Sequence, residues 1–425
     1  MTTKPDSLDL PASATRPSEA ALRFLQLSTR LLLQYDVRSR SLERRIERIA
    51  QHLGIDLQTV VGYRQVTLIL PDGRSFQARA PELRINVAVS SGALQVIHEL
   101  YLNRISLDEA TTRMEAVERT APRHERWLVV LLFGLGAAAI AWLLRADVGA
   151  IVVSGVSAAL GLIARQELAS RSVMLFAQPF VAGLIGAALG GLATRQGWTQ
   201  TSGFCLIVPA LMVVPGPHLI NGVRDVLENH MQTGLSRLGL ASSILIATAL
   251  GVVLGAWLTL GPATVSTAPS ETTVMTLPLA AALAGVGACG FGAFYNAPWR
   301  LLWVSILCGV VGYGLRYVCL DYTSVEIATL LGCLVIGLIA NIAAYRLHLP
   351  FSAIAFAGAV PMMPGVFIYQ SIAGAIRMSA AGTVVDPVLA STTLALSFKA
   401  EFVVGAIAIG LLIGARLANL VLRRT

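Results

Sequence analysis

Hydrophobic and polar positions divide the chain in two. Through the first 126 residues, apolar positions come at short helical or alternating spacings; from Trp127 onward they merge into runs of roughly 17 to 25 residues, long enough to cross about 30 Å of hydrocarbon at 1.5 Å per residue. In the first part, Leu42, Ile46, Ile49 and Leu53 mark one face of a helix or helix pair that closes at Gly54, a residue able to take a left-handed C-cap. A partial alternation around Pro71-Asp72-Gly73 predicts a β-hairpin over residues 63–80. Two further helices follow, the second opening on Ser106 with Glu109 three residues on, a capping box. These elements predict a small α+β domain over 21–126, behind a disordered tail at 1–20.

The long runs predict spans near 127–144, 148–164, 173–193, 203–220, 235–260, 276–295, 299–319, 325–345, 351–373 and a tenth ending near 422. An offset of 149 separates Pro215 from Pro364, and the same offset carries the starts of spans one to four onto those of spans six to nine within about three residues. "ALGVVLGAWL" at 249–258 matches "AIGLLIGARL" at 408–417 at an offset of 159, which a ten-residue insertion near 377–387 explains. The predicted fold is an all-α polytopic membrane protein. Two five-span repeats, 127–260 and 276–425, are joined by a linker at 261–275, and the odd span number forces the repeats to cross in opposite senses.

Composition agrees: 55% of residues are hydrophobic, 13% are charged and mean hydropathy is +0.69, outside the range of soluble globular chains. Of the charges behind the net +8, 18 Lys/Arg and 15 Asp/Glu fall in the first 126 residues and the rest are scattered, so no nucleic-acid partner is expected. A polar N-terminus without an apolar signal core predicts that the N-terminal domain stays in the cytosol. Arg165, Arg171, Arg224, Arg237, Arg300, Arg346, Arg423 and Arg424 then lie in inside loops, against Arg145, Arg195, Arg316 and Arg377 outside, which predicts both termini inside. The five cysteines read as small buried hydrophobes, and no histidine cluster offers a metal site; neither cofactor nor enzymatic activity is expected.

Each repeat breaks one span with a Pro-Gly pair, Pro215-Gly216 and Pro364-Gly365, and sets an amide six residues after the first proline, Asn221 and Gln370. Proline removes a backbone hydrogen bond and glycine frees φ, so a new half-helix should start there with its unpaired N–H groups and positive dipole end able to receive a carboxylate. Packing kinks with amides that only join neighbouring helices are the bland alternative. Asn221, Asp225 and Glu228 fall on one helix face beside Arg224; lining a cavity, Asp225 would carry a coupling proton and Arg224 would pair with it or with a substrate, whereas in a solvated loop these charges are ordinary. Lys399 and Glu401 interrupt the last run, as a second coupling site or as interfacial anchors.

"RRIERIAQHLGI", "ISLDEATTRMEAVERTAPRHERW", "VVPGPHLINGVRD" and "PMMPGVFIYQSI" together resemble the threonine/serine exporter (ThrE) family over nearly the whole chain. The resemblance implies ten spans, an inner-membrane location and export of small hydroxy amino acids driven by the proton motive force. It marks Pro215, Gly216, Asn221, Arg224 and Asp225, then Pro361, Pro364, Gly365 and Tyr369, as pathway positions. The partners expected are a small carboxylate-bearing solute and membrane lipid, with a homo-oligomer left open. Two alternatives stand beside threonine/serine export: a dicarboxylate exporter of the succinate type, and a non-transporting membrane scaffold or sensor.

Overall fold

A computed structural model describes residues 17–35, 38–261, 275–381 and 386–422. Most of the predicted tail, the linker and part of the predicted insertion fall outside the described residues. The chain opens with α1 (Glu19–Gln34) and α2 (Ser39–His52), followed by strands β1 (Gln58–Val61), β2 (Gln65–Ile69) and β3 (Ser75–Arg79) and by α3 (Val87–Tyr101) and α4 (Leu107–Thr120). Helix α1 begins at Glu19, inside the stretch expected as tail, because Ser18 accepts the Ala21 N–H at 3.2 Å and caps it. Gly54 closes α2 at φ +69° as its position predicts, and Gly73 at φ +84° turns the antiparallel β2–β3 hairpin. Strand β1 pairs with β2 in a third-strand register that the alternation did not reveal. Ser106 accepts the Glu109 N–H at 3.2 Å at the head of α4. Leu42, Ile46 and Ile49 are buried in one core with Phe24, Val66 and Met114, so these elements form one N-terminal module.

The helical body comprises α5 (Arg126–Leu143), α6 (Val148–Ser170), α7 (Ala177–Arg195), α8 (Ser202–Leu211), α9 (Gly216–Leu227), α10 (Met231–Leu260), α11 (Leu277–Phe294), α12 (Leu302–Cys319), α13 (Val325–Leu347), α14 (Phe351–Ala359), α15 (Gly365–Ala380) and α16 (Pro387–Leu422). Among the described residues, eight helices are individually long and apolar enough to span a membrane; α8 with α9, and α14 with α15, form two further elements bent by 63° and 69°. Asp147 caps α6 through the Ala150 N–H at 2.8 Å and also accepts from Gln200 N–H and the Thr199 hydroxyl, tying α6 to the entry of α8.

Helix α7 lies against α10, and α13 against α16, in the same manner. Gly251 and Gly255 bring α10 onto the backbone at Phe180 and Leu184, while Gly410 and Gly414 bring α16 onto Leu330 and Leu334. A side chain at any of these glycines would overlap the facing backbone, which accounts for the two glycine pairs, 159 residues apart in the sequence.

Candidate functional site

The two bends follow from their prolines. Helix α8 ends at Leu211 and α9 restarts after Pro215 (φ −81°, ψ 59°); α14 gives way to a short 3-10 turn at Val360–Met362, and α15 restarts after Pro364 (φ −80°, ψ 39°). A proline at each restart has no N–H to lose. The breaks meet reciprocally: Gly216 lies directly under the Phe356 ring of α14, and Gly365 directly under the Leu211 side chain of α8. A Cβ at either glycine would occupy the space of that side chain, so the close approach holds only with glycine or with the neighbour displaced. The half-helix N-termini expected to receive a carboxylate are therefore covered by apolar groups in this conformation.

One turn and a half beyond the first break the character changes. Asn221 is fully buried, and Arg224 is 1% exposed with its guanidinium 4.5 Å from the Phe351 ring centroid. Arg224 Nε and Nη1 are buried without a hydrogen-bond partner. Burying such a cation costs several kcal/mol, of which a desolvated cation–π contact returns about 2 kcal/mol. Both Asn221 and Arg224 line a cavity of about 570 Å³ that is roofed by α2 and α3 and reaches the end of α13 and the start of α14. Asn341 and Asn419, hydrogen-bonded to each other at 3.0 Å, also line it between α13 and α16.

The two acids on α9 face the N-terminal module instead. Asp225 Oδ1 accepts the Ser39 N–H at 3.1 Å and Oδ2 accepts the Ser39 hydroxyl at 2.9 Å, so Asp225 supplies from another element the N-terminal cap that Arg38 does not give α2. Behind it, the buried Arg237 of α10 stands 3.4 Å from Oδ2. Glu228 binds Arg38 at 2.6 Å in a mostly buried ion pair. Burial pulls the Arg38 guanidinium below its usual value, against the attraction of Glu228. A second anchor joins the module to the turn after α11. Val87 and Ala88 N–H groups donate to the Tyr295 and Asn296 carbonyls, and the Asn296 amide donates to Asn86 Oδ1 and the Pro122 carbonyl.

Tyr369 and Gln370 on α15 are half-buried, and neither lines the cavity that Asn221 lines; Glu401 is exposed on α16. Lys399 on the same helix stacks over Phe367 at 4.9 Å. The structure thus gathers Pro215, Gly216, Pro364 and Gly365 at the crossing and Asn221, Arg224 and Asp225 beside it, leaving Tyr369, Gln370 and Glu401 apart. Sequence reasoning missed Ser39, Arg38, Arg237 and the arginines of α2. The signal for the last was present in "RSRSLERRIER", whose polar face repeats arginine at 38 and 45 and at 44 and 48, one helical stripe.

Among known proteins, the family described as "Putative threonine/serine exporter" matches residues 23–259, and the one described as "Threonine/Serine exporter, ThrE" matches 280–416. The chain belongs to the threonine/serine exporter family. Such membership, with the apolar helices above, makes it a multi-pass membrane transporter. Among curated relatives, the "Probable succinate transporter subunit YjjP" of Klebsiella aerogenes is 25% identical over 228 residues, covering 52% of this chain and 88% of that protein. The Escherichia coli K12 protein of the same name is 25% identical over 250 residues, covering 56% of this chain and 95% of its own length. No solved structure matches.

Proposed function

We propose that this chain is a proton-coupled secondary transporter that exports a small carboxylate-bearing solute, threonine or serine, across the inner membrane by alternating access between two inverted five-span repeats. The observation that carries the reading is the reciprocal crossing of Gly216 under Phe356 and Gly365 under Leu211, next to a polar cavity that ends on Asn221 and Arg224. Two glycine-dependent contacts related by exchange of the halves are what inverted repeats would produce, and the matched α7–α10 and α13–α16 packing supports the same relation. In this reading the N-terminal module and the cavity face the cytosol, and the breaks form the closed gate. Arg224 pairs with the solute carboxylate and Asn221 reads its polar groups. Withdrawal of Phe356 and Leu211 then frees the positive ends of α9 and α15, where Tyr369 and Gln370 take over. Asp225 carries the coupling proton, since its protonation would weaken its bonds to Ser39 and Arg237 and loosen α9.

A dicarboxylate is the second reading, favoured by the excess of cations around the cavity and by the name of the two relatives. Labelled threonine, serine or succinate loaded into proteoliposomes decides between them. Gradient-driven hydroxy amino acid flux that falls at least about tenfold in Asn221→Ala and Arg224→Gln is expected, on the scale of one lost charged hydrogen bond. Flux of succinate alone moves the substrate to dicarboxylates. Flux no greater than in empty vesicles, for all three, overturns transport of these solutes and leaves a scaffold.

A further inference from the structure

The cavity roofed by the N-terminal module has a lining of one sign. Arg44, Arg45 and Arg48 come from α2, Arg38 from the residue before it, Arg224 from α9 and Arg346 from the end of α13, and no acidic residue lines it among the described residues. Of these six, Arg38 is neutralised by Glu228; the other five form no ion pair among the described residues. Asp225 and Glu228, the acids nearest Arg224 in the sequence, are engaged by Ser39 and Arg38. A smaller cavity alongside, about 180 Å³, adds Arg40 and Arg416 and includes Glu228, whose second oxygen is buried without a partner. His98 and His348 stack at 4.1 Å on the wall of the larger one. Burial holds the Arg45 guanidinium below its usual value, against the attraction of Tyr101 and together with the repulsion of Arg48 and Arg38.

A solvated basic face would leave its arginines free on the surface. Here one of them, Arg224, is 1% exposed, has two donor atoms without an acceptor and borders the cavity. Guanidinium groups present forked donors that match carboxylate and phosphate oxygens in pairs, and a volume of about 570 Å³ is that of a small-molecule site. We propose that this cavity binds a small anion with two or more negative charges, a polycarboxylate or phosphate compound, which bridges the N-terminal module to both halves of the helical body. With α2 held through the anion to α9 and α13, occupancy of the cavity is coupled to the position of the first broken helix. The proposal rests on the charge and burial of the lining, not on transport, so binding and flux fail separately.

The test uses the full chain in detergent, titrated with citrate and with pyrophosphate at constant ionic strength and followed by calorimetry. Chloride serves as the control. Saturable binding of at least one polyanion, with no saturable chloride signal, is expected. Replacing the exposed pair in Arg44→Gln/Arg48→Gln should weaken it on the order of tenfold, Arg224→Lys should weaken it through loss of the fork, and Arg119→Gln on α4, away from the lining, should leave it unchanged. Counterflow of the bound anion in vesicles then separates cargo from effector, and either result keeps the site. Binding indistinguishable from chloride, or an affinity untouched by the double substitution, overturns it.

Discussion

The two broken elements have the same backbone and opposite chemistry. Both restart after a proline, both bend by more than 60°, and each places a glycine under an apolar side chain of the other. Yet α9 is buried from Gly216 through Gly222 and carries Asn221, Arg224 and Asp225 in its interior, whereas α15 is largely half-buried and carries no charge before Arg377. Helix α9 is gripped by the N-terminal module through Ser39 and Arg38, and α15 packs along α16. A shared frame is what the proposed duplicated halves would produce, and in that reading the difference gives the polar work to the first half. Breaking the frame should therefore harm both halves alike, and breaking the chemistry should harm one.

The largest effects belong to the frame. Gly216→Val and Gly365→Val each force a side chain into the space of Phe356 or Leu211, an overpacking worth about 1–3 kcal/mol or more in a rigid core. Both variants should lose transport almost wholly and melt lower in detergent by similar amounts. One small-for-large change sharpens this: Phe356→Ala should restore folding to Gly216→Val but not to Gly365→Val. Rescue of both by Phe356→Ala would show that the crossing is not reciprocal.

Next come the contacts that belong to α9 alone. Asp225→Asn leaves the buried Arg237 facing a neutral amide and weakens the cap on α2, for which a loss of about 3 kcal/mol is expected from breaking a buried charge pair. Ser39→Ala removes one hydrogen bond, about 1 kcal/mol. Because the two residues share that contact, the double variant should be less destabilised than the two single losses together, by about 0.5 kcal/mol or more in a thermal or denaturant cycle. Strict additivity would mean that the N-terminal module is not seated on Asp225.

What was legible from the chain and what was not follow the same line. Apolar run lengths and prolines are local signals, so the spans, both breaks and the hairpin around Gly73 could be read directly. The Ser106 cap and the Gly54 turn were legible because caps act within three or four residues. Asp225 was recognised as a charged residue near a break, but its partner Ser39 stands 186 residues away and has no pattern of its own. Similarly, the apolar face of α2 announced its core, while its arginine stripe gained meaning only when Arg224 and Arg346 came to face it. Strand β1 was missed since four residues with a half-buried pattern do not differ from a loop until β2 pairs with them.

The smallest expected effect separates the two carboxylates that the sequence offered for proton coupling. Glu401 is exposed on α16, and no ion pair or side-chain hydrogen bond holds it among the described residues; Asp225 is buried, bonded to Ser39 and close to Arg237. An exposed group far from such features tolerates neutralisation within about 0.5 kcal/mol. Glu401→Gln should therefore leave both the melting temperature and the pH dependence of flux close to wild type. The corresponding profile for Asp225→Asn, measured at a temperature where that variant is folded, should lose its response to an imposed pH gradient while facilitated exchange of solute at equal pH persists. Exchange without gradient response isolates coupling from mere damage to the pathway. If Glu401→Gln instead abolished the gradient response and Asp225→Asn retained it, the coupling proton would belong to the second half, and the contrast between α9 and α15 would concern only the seating of the N-terminal module.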